Sequence, residues 1–414
     1  MTAPEAAAGD PAEDSMPLAG VRVLAIEQMA ALPFATQLLA RLGADVVKVE
    51  HPLSGDSGRG SVPAIDDPEG RPVGATFLRN NLNKRSVGID LKQPEGVALL
   101  LKLAPRFDVV CENFKAGTAE RLGIGYSAVS TVHPDVVYVS VSGFGNDPAS
   151  PYVQRPAYAA VVEAMSGIYE YKRRPGRPPT ANPVGALGDI SAGLFATIGL
   201  LAALRSRDAG GGGRYIDVAM LDATIAMTDI VANFYSMGIT DEASSGVGIV
   251  DTFAAGSGYF VLQIVRRHQF VRVAELTGNP AWLSDKRLDT PAGWQEHLET
   301  VLRPGIERWA STMTNREAVE ALAKGGAAAG ESNNSAEIAA DPHVAARNML
   351  VTMERPDGGP GVLIPGNPIK MSRVPERPDA RVPWLGEHTD EVLASELGIA
   401  GARLRELRKA GVIG

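Results

Sequence analysis

Apolar residues recur along this chain in two alternating rhythms. Val21 to Ile26 is an apolar, β-branched run of strand length. Phe34, Leu38, Leu39 and Leu42 then fall at spacings of three and four, which predicts a helix ended by Gly43. Ala44 to Glu50 is a second strand, and strand, helix and strand this close together make a parallel βαβ unit. The rhythm repeats through a strand at 86–91, a helix at 94–107, a strand at 108–111, a helical stretch from Thr118 and a strand at 136–141. A long helix at 190–207 and a strand at 215–220 follow. Such alternation predicts an α/β fold: a Rossmann-like large domain with an open, mostly parallel sheet and helices on both faces. From about residue 225 the pattern changes. A strand at 259–264 and helices at 268–277 and 294–310 predict a smaller α+β domain. Residues 324–335 are small and polar and read as a loop, and 402–410 reads as a charged helix.

Composition narrows the class. The 414 residues are 45% hydrophobic and 21% charged, with a net charge of −8, which argues against a nucleic-acid partner. The single cysteine, Cys111, lies in an apolar strand and excludes an internal disulfide. Residues 1–16 are acidic and Pro-containing, lack the basic start and apolar core of a signal peptide, and read as a disordered tail. The longest apolar run, Ile190 to Leu204, is about 15 residues and too short to cross a bilayer. A cytoplasmic protein with no membrane partner is expected.

Candidate chemistry is mostly a matter of exclusion. The turn after the first strand, Glu27 to Pro33, lacks the glycine fingerprint of a dinucleotide site. The run Gly210 to Gly213 lies between a helix and a strand and reads as a flexible turn. The 6 histidines pair with no second His or Cys at a ligand spacing, so no metal site is expected. A Gly-x-Ser-x-Gly elbow is absent. Asp189, between Gly188 and a helix beginning near Ile190, admits two readings. It caps the helix, or it is a carboxylate nucleophile whose pKa the helix N-terminus holds low. Gly188 and Gly193 would then let a substrate approach closely.

The blocks around Asp189 bear on that choice. They are Leu18 to Leu24, Gln37 to Glu50, Asn83 to Ser86, Asp90 to Lys92, Glu112 to Phe114, Arg121 to Gly123, Ser142 to Gly145, Gly188 to Gly193, Asp217 to Met220 and Gly386 to Thr389. In this order they closely resemble the family III CoA-transferases, the group of formyl-CoA transferase and carnitine CoA-transferase. The resemblance implies that Asp189 is the catalytic nucleophile. It would carry an aspartyl–acyl anhydride and then an aspartyl-CoA thioester while CoA moves from an acyl-CoA donor to a carboxylic acid. Coenzyme A enters as substrate, with no prosthetic group.

Position by position, the resemblance places CoA contacts at Ala30, Ala31, His51, Ile89, Asp90, Leu91, Lys92, Asn113, Phe114, Lys115, Arg121 and Tyr158. Leu32 stands where the family usually has glycine. The resemblance also implies an interlocked homodimer. Its large domain spans 17–222 and is completed by 346–414, its small domain spans 241–323, and its linkers run over 223–240 and 324–345. Two rivals are an α-methylacyl-CoA racemase and a non-catalytic acyl-CoA-binding protein. The racemase branch carries a histidine where this chain has Tyr158, and no histidine lies between His133 and Asp189. The basic run Lys172 to Arg174 reads as a solvated loop or as an attraction for an acidic acceptor.

Overall fold

The computed structural model describes residues 16–171, 173, 176–181, 185–240, 248–374, 376 and 379–414. Residues 1–15 of the expected tail, Lys172, Arg174, and 241–247 of the expected small domain lie outside them. The chain divides into two compact units, one of Met1–Ser166, Ala181–Thr228 and Ala346–Gly414, the other of Gly167–Thr180 and Asp229–Ala345.

In the first unit six strands make one sheet. They are β1 (Arg22–Ile26), β2 (Asp45–Glu50), β3 (Arg85–Gly88), β4 (Val109–Glu112), β5 (Val137–Ser142) and β6 (Arg214–Ala219). Their order is β3-β2-β1-β4-β5-β6, and every pairing is parallel. Buried on both faces, the central strands β1, β4 and β5 take mostly apolar side chains of either parity, which is why they read as continuous apolar runs, whereas β6 is an edge strand with Arg214, Tyr215 and Asp217 exposed. Val23, Ala25, Val109, Cys111 and Val139 enter the core on one face, with helix α1 (Ala31–Arg41). Leu24, Ile26, Val47, Val110 and Tyr138 enter the core on the other. That second core includes α3 (Pro94–Leu103) and two C-terminal helices, α6 (Thr389–Leu397) and α7 (Ala402–Lys409). The C-terminus is tied in at the sheet edge, where Gly414 N–H donates to Gly88 O at 3.2 Å. Burying each such Val, Leu or Ile contributes roughly 1.5–3 kcal/mol. Burial also pushes the Cys111 thiol well above its ordinary pKa, so it is a core residue and not a reactive one.

Three further helices position the site: α2 (Ala75–Asn80), α4 (Ala159–Met165) and α5 (Leu187–Ser206). Helix α5 starts three residues before the expected Ile190, and its apolar stretch is longer than the sequence reading allowed. By length and composition alone Leu187–Gly211 would cross a membrane. Here Ala192, Ala196, Leu200 and Leu204 are packed in the core of the large unit.

The second unit holds an antiparallel sheet of β7 (Ile249–Ala254), β8 (Tyr259–Ile264) and β9 (Ala328–Glu331), in the order β9-β8-β7. The small, polar run over 324–335 thus supplies an edge strand, because ladder hydrogen bonds to β8 need backbone and not apolar side chains. Phe270 and Trp294 stack at 4.6 Å in its core, and Trp294 Nε1 donates to Leu288 O at 2.7 Å. The expected helix over 294–310 is broken into Pro291–Glu296, a wide turn at Leu298–Leu302, and Arg303–Ala310. Pro304, with no N–H to donate, falls in the first turn of the last piece.

Candidate active site

The strand order reverses between β1 and β4, so the loops leaving their C-terminal ends diverge and open a crevice. A cavity of about 270 Å³ lies there. Gln28, Met29 and Ala31 line it after β1, Asn113 to Ala116 after β4, and Ser142 at the end of β5. Arg155 and Tyr158 come from the approach to α4, and Asp189 from α5. Asp189 is the only carboxylate among these described lining residues. Ser142 Oγ is buried, with no hydrogen-bond partner among the described residues.

Asp189 is not the cap of its helix. The cap position belongs to Ala186, at φ 67° in the left-handed region that alanine rarely adopts, and Asp189 is the third residue of α5. The backbone N–H of Ala31, the first residue of α1 and one of the donors that a helix start leaves without an internal partner, draws its carboxyl pKa down. The expected low pKa is also reversed. Burial pushes the Asp189 carboxyl up to about 6, with Arg79 and the Ala31 N–H pulling it down and Glu163 pushing it further up. Desolvation outweighs the helix terminus because Asp189 is enclosed between α1 and α4. The two flanking glycines create that enclosure. A Cβ on Gly193 would lie 2.6 Å from Ala31 O, and one on Gly188 would lie 2.7 Å from Val162 Cγ2. They let helices, not a substrate, come close.

The loop after β1 is held rigidly. Gln28 N–H donates to Asn113 Oδ1 at 2.9 Å, and Asn113 Nδ2 donates to Gln28 O at 2.8 Å. Asn113 therefore joins the two loops that bound the crevice. Met29, at φ 63°, is fixed by its N–H donating to Asp56 Oδ1 at 2.8 Å. Asp56 belongs to a buried charge network that the sequence reading missed. Lys48 Nζ lies 2.8 Å from Asp56 Oδ2 and 3.5 Å from Glu27 Oε1, Lys84 Nζ lies 2.7 Å from Glu27 Oε1, and Arg59 lies 2.7 Å from Glu50 Oε1. Lysine in the middle of an apolar strand, as Lys48 is, was the available signal. Glu112, closing β4 beneath the crevice, is pushed up to about 7 by burial, although Ser140 and the Phe114 N–H pull the other way.

The sequence-predicted contacts fall in two places. Ala31, Asn113, Phe114, Lys115, Tyr158 and Asp189 meet in the cavity, and Ala30 caps α1 beside it. His51, Asp90, Leu91 and Lys92 gather instead at the ends of β2 and β3. His51 Nδ1 accepts there from Leu53 and Ser54 N–H, and its Nε2 lies 3.9 Å from Asp90 Oδ1. Ile89 is buried and bridges to Ile413, so its side chain is core. Arg121 is exposed and donates to Thr118 Oγ1 at 2.8 Å. Leu32, in place of the family's glycine, is buried in the core behind the loop.

Comparison with known proteins gives this arrangement a family. The description "CoA-transferase family III" matches residues 18–389. The chain is 32% identical over 407 residues to the succinyl-CoA–L-malate CoA-transferase beta subunit of Chloroflexus aurantiacus, covering 96% of this chain and 98% of that one. It is 34% identical over 418 residues to the formyl-CoA:oxalate CoA-transferase of Streptomyces coelicolor, covering 96% and 99%. A solved CAIB/BAIF family protein from Brucella suis superposes with a TM-score of 0.79 at 31% identity, covering 92% of this chain and 99% of that one. The chain is a CoA-transferase and belongs to CoA-transferase family III.

Proposed function

We propose that this enzyme moves CoA from an acyl-CoA to a carboxylic acid through covalent intermediates on Asp189. The observation that carries the reading is that Asp189 is the sole carboxylate lining the switch-point cavity among the described residues. Asp189 attacks the donor thioester to form an aspartyl–acyl anhydride. CoA thiolate then displaces the donor acid to form an aspartyl-CoA thioester. The acceptor carboxylate opens it to a second anhydride, and the released thiolate takes the acceptor acyl group and frees Asp189. Tyr158 supports transfer over racemisation, because it lines the cavity where the racemase branch carries a histidine. Intact mass after mixing with an acyl-CoA, followed by hydroxylamine trapping, tests this. An Asp189→Ala variant with undiminished transfer would refute it.

The acceptor we propose is a dicarboxylic acid. Arg155 lines the cavity, stacks on Tyr152 at 4.5 Å, and has no carboxylate partner among the described residues. A guanidinium in that state is suited to a substrate carboxylate beyond the one that reacts. Relatives named for malate, mesaconate and glutarate act on acids of this kind. Arg155→Gln should raise the KM for a dicarboxylate acceptor about tenfold or more, the scale of a charge-assisted contact, and change that for acetate little. Equal losses for both acids would assign Arg155 to CoA instead.

The assembly we propose is the interlocked homodimer. Leu194, Phe195 and Ile198 leave an apolar strip exposed on α5, Ile198 to 63%. Light scattering should give twice the chain mass of 43.5 kDa. A monomer at micromolar concentration would contradict this arrangement.

A further inference from the structure

Asp189 has a second carboxylate behind it. Glu163 lies on α4 in the register Ala159, Val162, Glu163, Ser166, which faces the core, and all four are buried, Glu163 to 1% exposure. Its Oε1 accepts from Gly188 N–H at 3.0 Å. Gly188 abuts Val162 closely enough to exclude a side chain, so α4 and the first turn of α5 are locked together there. The charge of Glu163 is thereby fixed at the residue preceding Asp189. The charged groups facing Asp189 are Arg79 from α2 and Glu163 from α4, beside the Ala31 N–H from α1. Arg79 Nε is buried, with no hydrogen-bond partner among the described residues.

We propose that Glu163 is a positioning residue that drives Asp189 toward its covalent form, because its fixed negative charge opposes the Asp189 anion and leaves the uncharged acyl-aspartyl state unopposed. The inference rests on Asp189 being the nucleophile. A glutamine at 163 would still offer an oxygen to the Gly188 N–H, so the substitution removes the charge and keeps that bond. In the first step a bond forms between Asp189 Oδ and the acyl carbon, the carbon–sulfur bond breaks, and the electron pair leaves on CoA sulfur. The negative charge that faced Glu163 departs with the thiolate. In the second step sulfur bonds to Asp189 Cγ, the Cγ–O bond to the acyl group breaks, and the donor acid leaves as its carboxylate. The acceptor carboxylate then bonds to Asp189 Cγ and expels the thiolate, and the thiolate attacks the acyl carbon of this second anhydride, breaking its bond to Asp189 Oδ. Asp189 is uncharged in all three covalent states, and the repulsion returns only at that last step, which frees the carboxylate.

The test measures the CoA adduct by intact mass, with succinyl-CoA as probe, from about pH 5 to 8. Wild type, Glu163→Gln, Arg79→Gln and Asp189→Ala are compared. Glu163→Gln should lower the adduct fraction about tenfold at pH 7.5 and move the pH midpoint of its formation down by about one unit, the size of one close like-charge interaction. Arg79→Gln should move that midpoint up. The KM for succinyl-CoA should stay within about twofold in Glu163→Gln, since the charge acts on Asp189 and not on donor binding. A wild-type adduct fraction and an unmoved midpoint in Glu163→Gln would overturn the inference, as would midpoints that move the same way in both variants. Should Glu163→Gln fail to fold, a downward midpoint in Arg79→Gln overturns it by itself. Absence of any adduct in wild type would instead refute the nucleophile assignment, a result distinct from these.

Discussion

Asp189→Asn should abolish CoA transfer and, at pH 7.5, raise the melting temperature. The loss should be about 10³-fold or more, since an amide cannot form the anhydride. The gain in stability follows from the same burial. The Asp189 carboxyl titrates near 6 in the folded chain, raised chiefly by burial and next by Glu163 against the pull of Arg79. Unfolded, it returns to about 3.9. Because the folded pKa is the higher one, wild type carries a penalty above pH 6 that fades as pH falls and is gone below about pH 4. Two units correspond to roughly 1–3 kcal/mol once residual solvent access is allowed for. The asparagine side chain still offers an oxygen to the Ala31 N–H, so little is lost in exchange. Melts of both proteins across this range should diverge above pH 6 and converge below pH 4. A variant that melts lower than wild type at pH 7.5 would show that the carboxylate is not under strain. If Asp189 is the nucleophile proposed above, the same titration should make kcat/KM fall as pH drops through about 6.

The parallel sheet was legible because its central strands, β1, β4 and β5, are short, mostly apolar runs buried on both faces. The helices were legible where an amphipathic stripe or a glycine stop marked them. Three kinds of feature were not. The start of α5 was misplaced because an aspartate after a glycine looks like a cap, whereas a left-handed alanine, Ala186, turns the chain and puts Asp189 in the third position. The strand over Ala328–Glu331 was invisible because an edge strand is defined by its partner's hydrogen bonds. The environment of Asp189 could not be read because its neighbours, Arg79 and Glu163, come from helices far apart in sequence. The sign of its pKa shift depends on how much water those helices exclude. One signal was present and unread: Glu163 interrupts the apolar register of α4, and a charge at a core position needs a reason.

Lys48→Met should be among the most damaging changes outside the crevice. Lys48 is fully buried, with its Nζ 2.8 Å from Asp56 Oδ2, 3.0 Å from Glu27 O and 3.5 Å from Glu27 Oε1. Methionine fills most of the volume, so packing is not the issue. The uncompensated carboxylates are. Burial pushes Asp56 and Glu50 up, but Lys48 together with the Met29 and Gly58 N–H groups outweighs it at Asp56, and Arg59 with Lys48 outweighs it at Glu50, so both are held below the ordinary range. Removing one member of such a network costs about 3–5 kcal/mol, whereas breaking an exposed pair such as Arg408–Asp390 costs about 0–1 kcal/mol. The large unit's melting temperature should fall by on the order of 5–10 °C at neutral pH. Lowered folded pKa values make the network's contribution present above about pH 4 and lost below it, so the two proteins should converge in acid. Activity should fall further than stability predicts. Asp56 also holds the Met29 N–H, and releasing it frees a left-handed residue that sits in strain next to the Ala31 donor. Transfer rates measured well below the melting point separate the two effects. A melt within about 2 °C of wild type would mean that the remaining cations, Lys84 and Arg59, suffice to hold three buried carboxylates.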